Sequence, residues 1–141
     1  MNDTGFKPLN WKPEPGVGYS VERRPDGGMH FVFTDLSHKT LSHWREFALQ
    51  HLYDSDSLTR NLYDLRQIDE IPEEAVRFAV EANSDPAARN IRLAVVVKNE
   101  NVRRGIREVD DLTVPGGVEL RLFTDINVAE EWLNRPLTQL T

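Results

Sequence analysis

The chain contains no cysteine in 141 residues. That absence excludes disulfides, thiolate metal sites and cysteine nucleophiles, and it fits a reducing compartment. No apolar run approaches the roughly 20 residues that a membrane-spanning helix requires, so stable membrane insertion is not expected. The N-terminus shows no apolar segment after a basic one, which argues against a secretory leader. Basic charge is in deficit: 17 Lys and Arg stand against 23 Asp and Glu, a net charge of −6 that disfavours nucleic acid as a partner. The G-x-S-x-G elbow, the phosphate-binding loop and the G-x-G-x-x-G fingerprint are all missing. So is any His-Glu-x-x-His pattern.

What is present is a regular alternation of elements. Tyr19-Ser20-Val21-Glu22-Arg23 and Met29 to Thr34 read as two strands joined by the Pro25-Asp26-Gly27-Gly28 turn, an antiparallel hairpin. Leu41, Trp44, Phe47, Ala48 and either His51 or Leu52 follow at helical spacing, with Thr40 as the expected N-cap. Leu62 to Leu65 reads as a third strand. Pro72, Glu73 and Glu74 suit the start of a second helix whose buried face is Ala75, Val76, Ala79, Val80 and Ala82, ending at Asn83 to Asp85 before Pro86. Ile91 to Val97 is an apolar, β-branched run typical of a buried strand. A third helix then presents Val102, Ile106, Val109 and Leu112, with Asn99 or Asn101 as its cap. The strand Val118 to Phe123 and a fourth helix carrying Ala129, Trp132 and Leu133, capped by Asp125, complete the order ββαβαβαβα.

Strand–helix–strand alternation at this spacing requires a mostly parallel sheet with crossover helices. The expected fold is therefore one α/β domain over residues 17–135, a mixed and mostly parallel sheet with an antiparallel edge hairpin and four helices. Residues 1–16, rich in proline, read as a flexible arm in which Phe6, Leu9 and Trp11 are available to dock on the domain; 136–141 reads as a tail.

Few residues suggest chemistry. His30, His38, His43 and His51 lack ligand spacing, and packing or surface roles explain them, so no metal is expected. Asp69-Glu70, Glu73-Glu74, Asp110-Asp111 and Glu130-Glu131 are neighbours in sequence, and adjacent helical residues diverge by about 100°. They serve capping and solvation rather than shared proton transfer. One feature stands out on an acidic chain: Lys98, Arg103, Arg104 and Arg107 gather at the start of the third helix. Open α/β sheets place ligands at the C-terminal ends of strands, beside helix N-termini. The candidate site is thus Lys98, Asn99, Asn101, Arg103 and Arg104, with Asp64 and Arg66 on the rim, fitted to an anion or an acidic protein partner.

The order and residues resemble the STAS superfamily, and within it the small bacterial proteins similar to the sporulation antagonist SpoIIAA. Leu62-Tyr63-Asp64-Leu65 looks like that family's hydrophobic-Asp-Leu strand, Ile91 to Val96 like its next strand. Val118 to Asp125 followed by Ala129-Glu130-Glu131-Trp132-Leu133 looks like its closing strand and helix. The resemblance spans about Tyr19 to Leu133 and implies a non-enzymatic, cytoplasmic regulatory module without cofactor, working through a protein partner and compatible with a homodimer. The runner-up that it implies is a carrier or sensor of a small lipid-like or anionic ligand. In antagonists of this kind a serine at the start of the second helix is switched by phosphorylation. The corresponding stretch here, Asp69 to Glu74, holds no serine or threonine.

Overall fold

Parallel pairing of the later strands decides the architecture. The computed structural model describes residues 11, 12, 14–54, 59–85, 91–113 and 118–135. Among these residues it contains β1 (Tyr19–Arg23), β2 (Met29–Phe33), α1 (His38–Asp54), β3 (Thr59–Asp64), α2 (Glu73–Ser84), β4 (Ile91–Val96), α3 (Glu100–Leu112), β5 (Val118–Phe123) and α4 (Ile126–Leu133). The strands form one five-stranded sheet in the order β1-β2-β3-β4-β5. β1 and β2 are antiparallel, and every later pair is parallel. The expected fold class is the observed one.

Because the strand order follows the chain, successive crossovers travel in one direction and carry α1, α2 and α3 to one face. Phe31, Phe33, Leu93, Val95 and Val97 point to that face and pack with Trp44 and Phe47 of α1, Ala82 of α2, and Val102 and Ile106 of α3. The other face is covered by α4, where Ala129, Trp132 and Leu133 close over Leu62, Ala94 and Val96. Period-two alternation along β4 thus feeds two cores at once, which is why the strand is apolar throughout.

The turn at Asp26 works as its composition demands. Gly27 adopts φ of 92°, a region that side chains resist. Gly28 has no room for one either, since a Cβ there would meet the Arg60 carbonyl oxygen. Arg24, buried at 6% exposure, holds the turn to α4 through Asp26 (3.0 Å) and Glu130 (2.5 Å).

Several local expectations are corrected. Thr40 is not the N-cap of α1. That helix starts at His38, and Ser37 caps it: its Oγ accepts from the Thr40 N–H at 3.3 Å and its carbonyl accepts from Leu41 N–H at 2.9 Å. Thr40 lies inside the first turn, wholly buried. Its hydroxyl donates to Asp35 Oδ1 (2.6 Å) and accepts from the Gly18 N–H (2.8 Å), tying the entry of β1 to α1. β3 begins three residues before Leu62, at Thr59. The polar Asn61 is usable there because its Oδ1 accepts from the Met29 N–H of the neighbouring strand. Leu112 is 57% exposed rather than buried, while Val102, Ile106 and Val109 of the same helix are in the core. Ala79 and Val80 are only half-buried. Trp11 does dock on the domain, its ring 5.8 Å from that of Tyr19. Phe6, Leu9, Pro86 and the side chains of His51 and Leu52 lie outside the described residues.

Candidate functional site

The C-terminal ends of β3 and β4 carry the site residues on two short connections. After β3 the chain runs through Leu65 to Pro72 into α2. After β4 it runs through Val97, Lys98 and Asn99 into α3. The first connection is latched to the second at several points. Leu65 N–H donates to the Val96 carbonyl at 2.9 Å, and Asn99 Nδ2 reaches the Ile68 carbonyl at 3.4 Å. Leu65 and Ile68 are buried. Ile71 lies against Gly105 of α3, so closely that a Cβ on Gly105 would come within 2.6 Å of its side chain. A loop without regular structure is thereby held as a fixed shelf.

Asn99 is the cap of α3, its Oδ1 accepting from the Val102 N–H at 2.9 Å. Asp125 caps α4 in the same way, accepting from Asn127 N–H at 2.8 Å. Of the two asparagines expected as α3 caps, Asn101 instead accepts from Arg104 Nη2 at 2.7 Å. Arg103 lies 3.7 Å from Glu100 one turn earlier. Lys98 is exposed at the end of β4.

Asp64 and Arg66 form a bidentate pair at 2.9 and 2.7 Å. The Arg66 backbone N–H adds a third bond to the Asp64 carboxylate. Burial pushes the Asp64 carboxyl up, but these bonds outweigh it, with His30 adding attraction, and hold it below the usual carboxylate range. Asp64 is 7% exposed, so it is a buried anchor that aims Arg66 outward rather than a free rim group.

The seven candidate residues lie at the C-terminal ends of β3 and β4 and in the first turns of α3, an edge along which their roles divide, and Arg66 is drawn toward Asp125 at the start of α4 as well. Asp64 and Asn99 build the edge. Arg66, Lys98, Asn101 and Arg104 present it to solvent, and Arg103 is half-buried between. Sequence reasoning missed Glu100, which offsets Arg103, and the Ile71–Gly105 contact that sets the two connections side by side. Glu100 in the first turn of a helix was the available signal; the contact with Gly105 had none.

His38 and His43 serve elsewhere. His43 Nδ1 meets the Tyr19 hydroxyl at 2.7 Å, and His38 Nδ1 meets Glu74 Oε2 at 2.7 Å, joining α1 to α2. Among the described residues no group of three or more His, Asp and Glu side chains is placed to hold a metal ion, and no helix is long and apolar enough to cross a membrane.

No protein-family model matches the chain, and no curated protein matches it. Among solved structures it is similar to an uncharacterised protein of the DUF3478 family from Shewanella loihica PV-4, described as having a SpoIIAA-like fold. The two are 19% identical, with a TM-score of 0.61 over 87% of this chain and 99% of that one. The five-stranded sheet with its antiparallel first pair, and the helices packed on both faces, thus form a SpoIIAA-like fold.

Proposed function

We propose that this domain is a non-enzymatic regulatory module of the bacterial cytoplasm that binds an acidic protein partner through the edge formed by Arg66, Lys98, Asn101, Arg103 and Arg104. The observation that carries the reading is the latched shelf from Leu65 to Pro72. Hydrogen bonds to Val96 and Asn99 and the packing of Ile71 on Gly105 hold it in one shape beside the basic start of α3. A preformed edge of this kind suits recognition without an ordering penalty. No hydroxyl residue lies between Leu65 and Asn83, and Glu73 and Glu74 occupy the start of α2. A phosphorylation switch at that position has no acceptor, so binding there is constitutive or is controlled by the partner.

The test is capture of partners from cells of the source organism with the parent and with Arg103→Ala/Arg104→Ala, after both show the same thermal midpoint. The parent is expected to retain a protein that the double variant loses, and that added salt releases, since exposed charges are screened beyond about 8 Å at physiological ionic strength. Equal capture by both proteins overturns the reading. A small molecule found as added mass on the purified chain under native conditions replaces it with the carrier.

A further inference from the structure

We propose that two copies of this chain associate through β5, antiparallel and about a twofold axis at Leu120, to form one continuous sheet. Among the described strands β5 pairs with β4 alone and is an edge of the sheet. Its backbone groups can be assigned to sides. The Val97 N–H donates to the Phe123 carbonyl at 2.8 Å, so Phe123 addresses β4. Backbone groups alternate along a strand, so Arg121 and Glu119 also address β4, and Val118, Leu120 and Leu122 turn their N–H and C=O groups to the free edge.

That alternation restricts how a second copy can pair. Leu120 opposite Leu120 of the second copy, with Val118 opposite Leu122 on both sides, sets outward groups against outward groups. Each of these pairs then exchanges both main-chain hydrogen bonds. The side chains between them decide the register. Glu119 falls directly opposite Arg121 of the second copy, twice, at the closer, non-hydrogen-bonded positions where cross-strand charges interact best. Sliding by two residues either way sets Glu119 against Glu119 or Arg121 against Arg121, and a slide by one brings inward-turned backbone groups to the seam. Among the registers that pair the whole of Val118 to Leu122 or slide by up to two residues, a single one is left, and it is self-complementary, as a twofold interface requires. Edge charges block pairing when like meets like; here opposite signs stand two residues apart, both exposed.

A second observation lies on the same flank. Val128 is 48% exposed, one of two exposed large hydrophobic residues among those described. It sits one helical turn before Trp132, whose ring meets Phe123 and Arg121 of β5. Glu130, on the opposite side of α4, reaches Arg24 in the hairpin. Val128 therefore lines the β5 side of α4, where a second copy would cover it.

The experiment is light-scattering mass across a concentration series for the parent, Arg121→Glu, Glu119→Arg, and an equimolar mixture of the two variants. The parent is expected at twice the 16.2 kDa chain mass. Each variant alone sets like charges across the seam and should fall to the single-chain mass. The mixture restores both Glu–Arg pairs and should return to the doubled mass. A parent that stays monomeric to millimolar concentration overturns the proposal. So does a dimer that survives in both variants, or a mixture that stays monomeric while both variants keep the parent's thermal midpoint. Glu119 also lies 3.6 Å from Arg92, so a variant that fails to fold is replaced by hydrogen exchange on the parent. The Leu120 amide should exchange more slowly as concentration rises; exchange independent of concentration overturns the proposal.

Discussion

Trp132→Ala tests whether the second core is a structural necessity. α4 is the element that covers Leu62, Ala94 and Val96, and Trp132 is the largest side chain it brings, at 5% exposure. Its ring lies 5.6 Å from Phe123. Two guanidinium groups flank it, Arg92 at 4.9 Å and Arg121 at 5.1 Å. Removing a buried large aromatic costs about 3–5 kcal/mol, from lost transfer energy and the cavity left behind. The ring also faces Arg92, itself buried at 9% exposure and donating to the carbonyls of Trp132 and Arg135. Losing that cation–π contact adds about 0.5–2 kcal/mol. A loss of about 3.5–7 kcal/mol is therefore expected, a large part of a typical domain stability of about 5–15 kcal/mol. Urea unfolding followed by far-UV circular dichroism is the suitable assay, because the substitution removes one of the chain's fluorophores. Trp132→Phe, which keeps an aromatic face toward Arg92, should lose less than half as much. A loss under about 1 kcal/mol for the alanine variant would refute the reasoning, because it would mean that α4 contributes little to the fold.

Two further substitutions probe the site. Gly105→Val drives a side chain into Ile71 and should destabilise by about 1–3 kcal/mol, the usual range for overpacking, with a lowered thermal midpoint and weaker partner capture together. An unchanged midpoint would show that the shelf is not held by that contact. Asp64 titrates below its unfolded value, so it contributes stability above a pH of about 4 and loses it as pH falls through the folded value. Urea midpoints measured from pH 7 down to pH 3 should therefore fall more for the parent than for Asp64→Asn, and parallel curves would refute the assignment.

The sequence by itself determined the element order and most element boundaries, because these depend on spacing within a few residues. The continuous apolar, β-branched run of β4, the Asp26-Gly27 turn, and the caps Asn99 and Asp125 all act locally, and each is seen in the structure. The two connections that carry the candidate residues were legible for the same reason: they follow strands and precede helices. Tertiary structure decided what those residues meet. Thr40 looks like a cap by composition, but its hydroxyl is claimed by Gly18 and Asp35, 22 and 5 residues away. Leu112 continues the apolar spacing of α3 yet stays exposed at the helix end among the described residues. Arg24 and Arg92 are buried only because Glu130 and the carbonyls at the end of α4 lie across the fold to receive them. Arg66 is aimed by Asp64, and the start of α3 is set beside the shelf by the contact of Gly105 with Ile71. Apart from Asp35 and Asp64, which stand close in the chain to the residues they bond, such partners are far apart in it and leave no periodic trace. Only the closure of the sheet brings them within hydrogen-bonding or van der Waals distance, and only then does a charged or small residue acquire its role.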